Sequence, residues 1–387
     1  MQTFETLGVP EGIVEALHAR GVTTPFPIQA LAMADGLAGR DVTGRAQTGS
    51  GKTLAFGIPT LVRAGAGSPR RPAGLVLAPT RELAAQITAE LAPLGAAVGV
   101  RVGVVYGGAP MPPQISALNR GLDVLVATPG RLIDLIRRDA VSLDGIKVVT
   151  VDEADRMADL GFLPPVEWLL RHIPAGVQML LFSATLDGAV ARLTRRMTDP
   201  VLHTVEDANP TVDAMTHRFL QVHHMDKAKV VARIAAANGR TLVFCRTKRN
   251  CDRVQRDLVE LGVKASAIHG DLPQHKRERA LAQFSDGSRP VLVATDVAAR
   301  GIHVDDVQAV VHYDPPEDQT AYLHRSGRTA RAGATGLVVC LVEWNQELDV
   351  RRVQRRLGLS DIPLVAMFSN DGRLDDLAAW DPVVEVA

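Results

Sequence analysis

The run Lys147-Val-Val-Thr-Val151 is apolar almost throughout and stops on Asp152-Glu153-Ala154-Asp155. A strand without apolar–polar alternation must be buried on both faces, as in a parallel sheet held between helix layers. The carboxyl end of such a strand is where these sheets bind ligands, so the acidic tetrapeptide lies at a binding edge. Similar apolar runs occur at residues 74–78, 123–127, 178–183, 241–245, 290–294, 309–313 and 336–341. Helical patterns fit between them, for example at 81–91, 226–237, 248–261 and 275–284. This alternation predicts an α/β fold of βαβ units. The polar, aperiodic, Pro-containing stretch 206–213 divides the chain and reads as a linker. We expect a first domain over 1–206, a linker at 207–213, a second domain over 214–365 and a short tail at 366–387, loosely packed from Asp371 to Ala387.

A hundred-odd residues before the acids stands the string Ala46, Gln47, Thr48, Gly49, Ser50, Gly51, Lys52, Thr53. Glycines at this spacing let backbone N–H groups turn inward on phosphates at a helix start. Lys52 supplies a point charge to the outer phosphates, and the Thr53 hydroxyl is a ligand for Mg²⁺. Asp152 suits the far side of the same ion, directly or through water. Glu153 beside it can orient or deprotonate an attacking water. A lone Asp-Glu pair would read as an exposed helix start. At the end of a buried strand, downstream of a phosphate loop, it reads as part of a nucleoside-triphosphate and Mg²⁺ site.

Lys+Arg and Asp+Glu both stand at 43, so no basic excess drives bulk binding of nucleic acid, although a local groove of contacts stays open. The three cysteines, Cys245, Cys251 and Cys340, form no C-x-x-C pair. Reduced thiols, no zinc site and a cytoplasmic location are expected. The first residues lack the pattern of a signal peptide, and no apolar stretch is long enough to span a bilayer, so no membrane partner is expected.

Further strings follow in a fixed order: Gly21-Val-Thr-Thr-Pro25-Phe-Pro-Ile-Gln29, Pro79-Thr-Arg-Glu-Leu-Ala84, Gly107-Gly108, Thr128-Pro-Gly-Arg131 and Ser183-Ala-Thr185. The second half adds Val243-Phe-Cys-Arg-Thr247, His269-Gly-Asp271, Gln274-x-x-Arg277, Ala294-Thr-Asp-Val-Ala-Ala-Arg-Gly301 and His324-Arg-Ser-Gly-Arg328-Thr-Ala-Arg331. With these strings the chain resembles the DEAD-box RNA helicases of helicase superfamily 2, from Phe4 to about Leu359. The resemblance implies two tandem RecA-like domains, each a mainly parallel β-sheet flanked by helices, joined by a short flexible linker. It also implies ATP as the nucleotide. Gln29 would read adenine, its amide offering a donor and an acceptor. Phe4 would stack on the base, or staple the first helix. Ser183 and Thr185 would couple the acidic loop to the other domain, although Thr185 could cap a helix at 186–197. Pro79, Thr80, Arg81, Gly108, Thr128 and Arg131, with Arg246, Gly270, Gln274, Arg277 and Thr295, are implied contacts to the RNA backbone. Asp296 is expected to organise its loop.

The segment from His324 to Arg331 sets Arg328 and Arg331 three apart, so one helical turn would aim both at one point. They are the candidate arginine fingers for the γ-phosphate, with His324 linking them to the Asp152 and Ser183 segments. Three positions depart from the family pattern. Phe26 stands where Thr or Ser is usual, and Ala330 stands where Gly is common, which a helix would tolerate. His303 replaces an Asp that touches the ribose, so His303 keeps a weaker contact or Asp305 takes it over. The expected activity is RNA-stimulated ATP hydrolysis coupled to separating short RNA duplexes or remodelling RNA–protein complexes. RNA is the expected partner, RNP or ribosome-assembly proteins are further candidates, and a monomer is expected. One rival is an ATP-gated RNA clamp whose hydrolysis only times release. A DNA translocase is disfavoured by Gln29 with Phe4, and a generic P-loop ATPase leaves Thr128, Arg131, Gln274 and Arg277 unexplained.

Overall fold

The computed structural model describes residues 2–46, 50–186, 188–205, 215–299, 307–329 and 336–382, with Val297 as backbone alone. The chain forms two compact units, Met1–Asp207 and Ala208–Ala387. Gln47, Thr48, Gly49, His303, Asp305, Ala330, Arg331 and the expected linker lie outside the described residues.

The first unit is built on strands β1 (Val42–Arg45), β2 (Gly74–Leu77), β3 (Val102–Val105), β4 (Val124–Ala127), β5 (Val148–Val151), β6 (Gln178–Ser183) and β7 (Val201–Thr204). They form one sheet in the order β3-β4-β2-β5-β6-β1-β7, paired in parallel throughout. The second unit uses β8 (Met215–Gln221), β9 (Thr241–Cys245), β10 (Ala265–Ile268), β11 (Val291–Thr295), β12 (Ala309–His312), β13 (Gly336–Val342) and β14 (Leu364–Ala366). Their order is β10-β11-β9-β12-β13-β8-β14, again parallel.

The strands recognised from apolar runs are buried at every residue, as a sheet covered on both faces requires. In β2, Val76 joins the core containing Phe56, Ile58 and Leu91, while Leu75 and Leu77 join the core of Met157 and Leu169. One strand thus feeds two cores, one on each face. The polar Gln178 inside β6 is tolerated because its amide donates to the carbonyls of Gly36 (2.7 Å) and Arg40 (2.8 Å). Six strands lie outside the apolar runs named above. Four of these, β3, β7, β10 and β14, are sheet edges. The other two, Val-Thr-Gly-Arg in β1 and Met-Thr-His-Arg-Phe-Leu-Gln in β8, are interior and owe their state to pairing on both sides.

Two expected local features are corrected. Among the described residues no helix starts at Thr185; the helix there is the single turn Ala191–Thr194, and Thr185 is exposed. The tail is not loose as far as residue 382. Met367, Leu374 and Leu377 are buried in the second unit's core. Arg218 donates to the carbonyls of Leu377 (2.9 Å) and Trp380, and Arg218 and Arg373 each lie over the Trp380 ring. The apolar residues of the tail are too few and too irregular to give a periodic signal. Leu377→Ala should therefore lower the stability of the second unit by about 2–5 kcal/mol, read as a shift in the urea midpoint; a tail that does not pack would give none.

Candidate functional site

Strand order brings the phosphate loop and the acids together. In the first sheet β5, β6 and β1 are neighbours, and their carboxyl ends lead into Asp152, Ser183 and the Ala46 loop. Ser183, wholly buried, ties the three ends together. Its carbonyl accepts the Ala46 N–H (3.1 Å), and its hydroxyl accepts the Asp155 N–H (3.1 Å). The Asp155 carboxylate in turn accepts the Ala184 N–H (3.2 Å).

Gly51 opens the helix Lys52–Ala64 at φ +82°, a left-handed conformation that glycine adopts without strain. A Cβ there would also stand 2.5 Å from the Gln29 amide nitrogen. That amide bridges two segments: Gln29 Oε1 accepts the Phe26 N–H (2.8 Å), and Nε2 donates to the Gly51 carbonyl (2.8 Å). Lys52 is buried, and its ammonium donates to the Ala46 carbonyl (2.8 Å).

Asp152 is 3% exposed and Glu153 5%. Glu153 sits in the left-handed region at φ +49°, uncommon for a residue with a Cβ and the kind of strain that collects at functional sites. Its Oε2 accepts from Arg156 Nη1 at 2.6 Å, a buried pair one helical turn apart. The Asp152 carboxyl is pushed up to about 7, first by burial and then by the neighbouring Glu153 and Asp155, with Lys52 opposing. A buried carboxylate crowded by like charges is relieved by a cation, so the donor set fits Mg²⁺. Because folding raises this pKa above 3.8, charging Asp152 destabilises the nucleotide-free fold, increasingly as pH rises from 3.8 to about 7. Asp152→Asn should then raise the melting temperature relative to the parent at pH 8 but much less at pH 4, where the parent carboxyl is largely protonated. Equal shifts at both pH values would contradict this.

The other half of the same sheet edge, β3-β4-β2, leads into Gly108, Thr128 and Thr80-Arg81. Gly108 has φ +81°, and a Cβ on it would lie 2.2 Å from Arg81 Nη1, so the glycine leaves room for that guanidinium. Arg131 Nη2 donates to the Ala109 carbonyl (3.1 Å), while its buried Nη1 has no hydrogen-bond partner among the described residues. Thr80 caps the helix Arg81–Ala97 by accepting the Leu83 N–H (3.3 Å), and Pro79 before it is buried.

In the second unit β10, β11 and β9 are neighbours, and their carboxyl ends carry Gly270, Thr295 and Arg246. Arg246 and Gly270 are exposed, Thr295 is buried, and all three line one depression. The Arg246 N–H donates to Asp314 (2.8 Å). Gln274 begins the helix Gln274–Ser285, and its Oε1 is buried without a partner among the described residues; Arg277, one turn on, is buried. The helix Gln319–Ser326 is fixed by the wholly buried Tyr322, whose hydroxyl meets His217 Nδ1 (2.8 Å) and whose ring stacks on His312. Arg325 adds a two-pronged bond to Asp296 (2.6 and 2.8 Å), which ties the end of β11 to this helix. His324 is exposed on this helix.

Residues 26–193 match the family model described as DEAD/DEAH box helicase, and residues 226–333 match that of the helicase conserved C-terminal domain. The chain is a member of the DEAD-box RNA helicases. The helicase is 41% identical over 358 residues to the DEAD-box ATP-dependent RNA helicase CshA of Geobacillus kaustophilus, covering 92% of this chain and 76% of that one. It is 39% identical over 387 residues to the ATP-dependent RNA helicase RhlB of Erwinia tasmaniensis, covering 97% and 90%. Its fold is similar to S. cerevisiae Dbp5 bound to RNA and ADP BeF3, with a TM-score of 0.82, 29% identity and coverage of 96% and 97%. Both units of the helicase are thus RecA-like, and it is an ATP-dependent enzyme of the RNA helicase family.

Two expectations for the helicase's side chains change. Phe4 has no exposure and packs in the first core, so its ring is covered by protein side chains in this structure. The helix expected to carry Arg328 stops at Ser326, with Gly327 as its C-cap. Arg328 lies in the turn beyond, 8% exposed, beside Thr329, whose hydroxyl donates to the Val307 carbonyl just ahead of β12. This sets Arg328 at the amino ends of the strands, opposite the Arg246, Gly270 and Thr295 edge. Sequence reasoning gave no role to Arg156, Asp155 or Arg325, although Asp155 closes the acidic tetrapeptide. Arg156 and Arg325 each lay inside or one residue beyond a string already singled out, and a search for partners at i+3 from Glu153 would have found Arg156.

Proposed function

We propose that the protein is an RNA-stimulated ATPase that locally separates short RNA duplexes, and that one hydrolytic site is completed by residues of both units. The observation that carries this is the division of the first sheet edge. Its β5-β6-β1 half carries the phosphate loop and acids, and its β3-β4-β2 half carries Arg81, Gly108, Thr128 and Arg131. Adjacent loops on one rigid edge give ATP and RNA a shared means of favouring one closed state, so each raises affinity for the other.

In this reading Lys52 and the loop amides hold the phosphates, and Gln29 with Gly51 fixes the entry to the loop. Thr53 and Asp152 would hold Mg²⁺, which would neutralise charge on the outer phosphates. Glu153, its carboxylate plane set by Arg156, orients the attacking water and accepts its proton. Arg328, with Arg331, supplies positive charge to the γ-phosphate when the units close, and His324 and Ser183 with Thr185 relay that closure. His303 is assigned a ribose contact. The partnerless nitrogen of Arg131 and oxygen of Gln274 suit RNA backbone phosphate and 2′-hydroxyl respectively. Thr80, Arg246, Gly270, Arg277 and Thr295 complete the backbone contacts, so little sequence is read.

No helix of the described residues is long and apolar enough to cross a membrane. The three cysteines are free and buried, which suits the reducing cytoplasm we assign. A monomer acting on RNA or RNP substrates is sufficient for the mechanism.

A short RNA duplex with a single-stranded overhang tests the activity. ATP should release the displaced strand, and the ATPase rate should rise with RNA and hardly with DNA of the same sequence. RNA-stimulated hydrolysis without displacement would make the protein an ATP-gated clamp. Equal stimulation by DNA would contradict the RNA reading.

A further inference from the structure

Three depressions adjoin on the surface of the second unit. The first holds Gly270 and Thr295 with Lys248 and Arg249. The next is lined by Arg249, Arg253 and Gln346, and the third by Gln346, Arg352 and Arg356. Arg246 lines all three, so they form one strip running from the proposed RNA residues to the helix Glu347–Leu357. The sequence pattern alone makes the arginines of that helix look like a solvated face.

Six basic side chains line the strip (Arg246, Lys248, Arg249, Arg253, Arg352 and Arg356) against four carboxylates (Asp271, Asp314, Glu317 and Asp349). Lys248 pairs with Asp271 (2.5 Å), Arg246 faces Glu317 (3.8 Å) and Arg352 pairs with Asp349 (3.2 Å). These pairs are solvent-exposed, hence weak and easily exchanged for another anion. Arg249, Arg253 and Arg356 face no carboxylate within 4.0 Å among the described residues; Arg253 bonds only to the neutral Asn250 side chain (2.7 Å). On a chain whose positive and negative residues both number 43, this is a local concentration of positive charge. The helix supports it rigidly, because Val350, Val353 and Gln354 are buried beneath and leave Arg352 and Arg356 on the outer face.

We infer that the strip is a backbone track for RNA, carrying the strand onward from Gly270 and Thr295 across Arg249 and Arg253 to Arg352 and Arg356. Guanidinium groups match phosphate oxygens two-pronged, and no aromatic side chain lines the strip to stack a base. The track therefore reads phosphates and not sequence. A linear series of arginines joined to the proposed RNA residues favours a polyanionic strand over an acidic protein surface. The inference rests on the RNA reading above and extends it to longer strands.

The test uses the full chain and Arg352→Gln/Arg356→Gln, with labelled oligouridines of about 6 and about 20 nucleotides. Both strands are titrated over a range of salt in the presence of a non-hydrolysable ATP analogue. For the parent, affinity and salt dependence should be greater for the long strand. The double variant should lose about tenfold in long-strand affinity, and its log–log salt slope should fall by about 1.4, at ~0.7 per phosphate contact. Short-strand affinity should not change, and Arg352→Lys/Arg356→Lys should restore most of the slope. Unchanged long-strand binding in the glutamine variant, or equal losses on both strands, overturns the track. If the parent binds the short strand but gains nothing with length, the track alone falls. If it binds neither strand and RNA leaves its ATPase unchanged, the RNA reading falls with it.

Discussion

Glu153→Gln is expected to lower RNA-stimulated ATP turnover by roughly 10²–10⁴-fold, the usual contribution of a positioned general base. ATP and RNA should still bind. Glutamine keeps the size of the side chain and an oxygen for Arg156 Nη1, now 2.6 Å from Glu153 Oε2, so the loop need not rearrange. What is lost is the charge that draws a proton from water. The left-handed backbone at φ +49° does not change with this substitution, since both residues carry the same Cβ. The variant should therefore accumulate as a complex with ATP and RNA that releases RNA slowly. Turnover within a few-fold of the parent would remove Glu153 from the chemistry. Arg156→Ala gives a second handle: it leaves the Glu153 charge in place but frees its orientation. Its turnover should fall while the affinity for ATP changes little.

Arg328→Ala should reduce RNA-stimulated turnover by about 10³-fold or more, the range found for arginine fingers. ATP binding to the first unit alone should be nearly unaffected, because the phosphate loop and Gln29 belong to that unit. Arg328 is only 8% exposed, so truncation could also loosen the turn in which Thr329 bonds to Val307. Arg328→Lys separates the two effects. Lysine fills the same space and keeps the charge but lacks the planar fork, so it should melt like the parent and still hydrolyse slowly. A lysine variant with the parent's rate would show that any cation in the turn suffices. An alanine variant with the parent's rate would show that Arg328 takes no part.

Loop positions were legible in the sequence wherever an apolar run buried on both faces preceded them. The acids after β5 and Ser183 at the end of β6 were found this way because burial and catalysis leave their marks side by side, whereas the Lys52 loop was found from its own glycine–lysine string. Bonds across loops were not legible. The Gln29 amide meets the Gly51 carbonyl 22 residues away, and only the folded sheet brings them together. The Asp155 bonds to Ser183 and Ala184 span nearly thirty residues and depend on β5 lying beside β6. Phe4 illustrates the opposite failure. Its position in a string suggested a base contact, whereas its fate is set by the helices that close over it. Strand β1 was missed because Val-Thr-Gly-Arg is polar by composition and becomes a strand only through its neighbours β6 and β7. The tail was missed for a related reason: three buried side chains and two arginines over the Trp380 ring fix it, and none of these recurs at a regular interval.

Residues 1–205 have their own cores, so the fragment is expected to fold without the second unit. ATP turnover by that fragment, with and without RNA and beside the full chain, is the measurement that bears most directly on a site shared by two units. The fragment should bind ATP and hydrolyse it at a low rate that RNA does not change, while the full chain responds to RNA. A fragment that reaches the full chain's RNA-stimulated rate would show that the second unit contributes nothing to the chemistry.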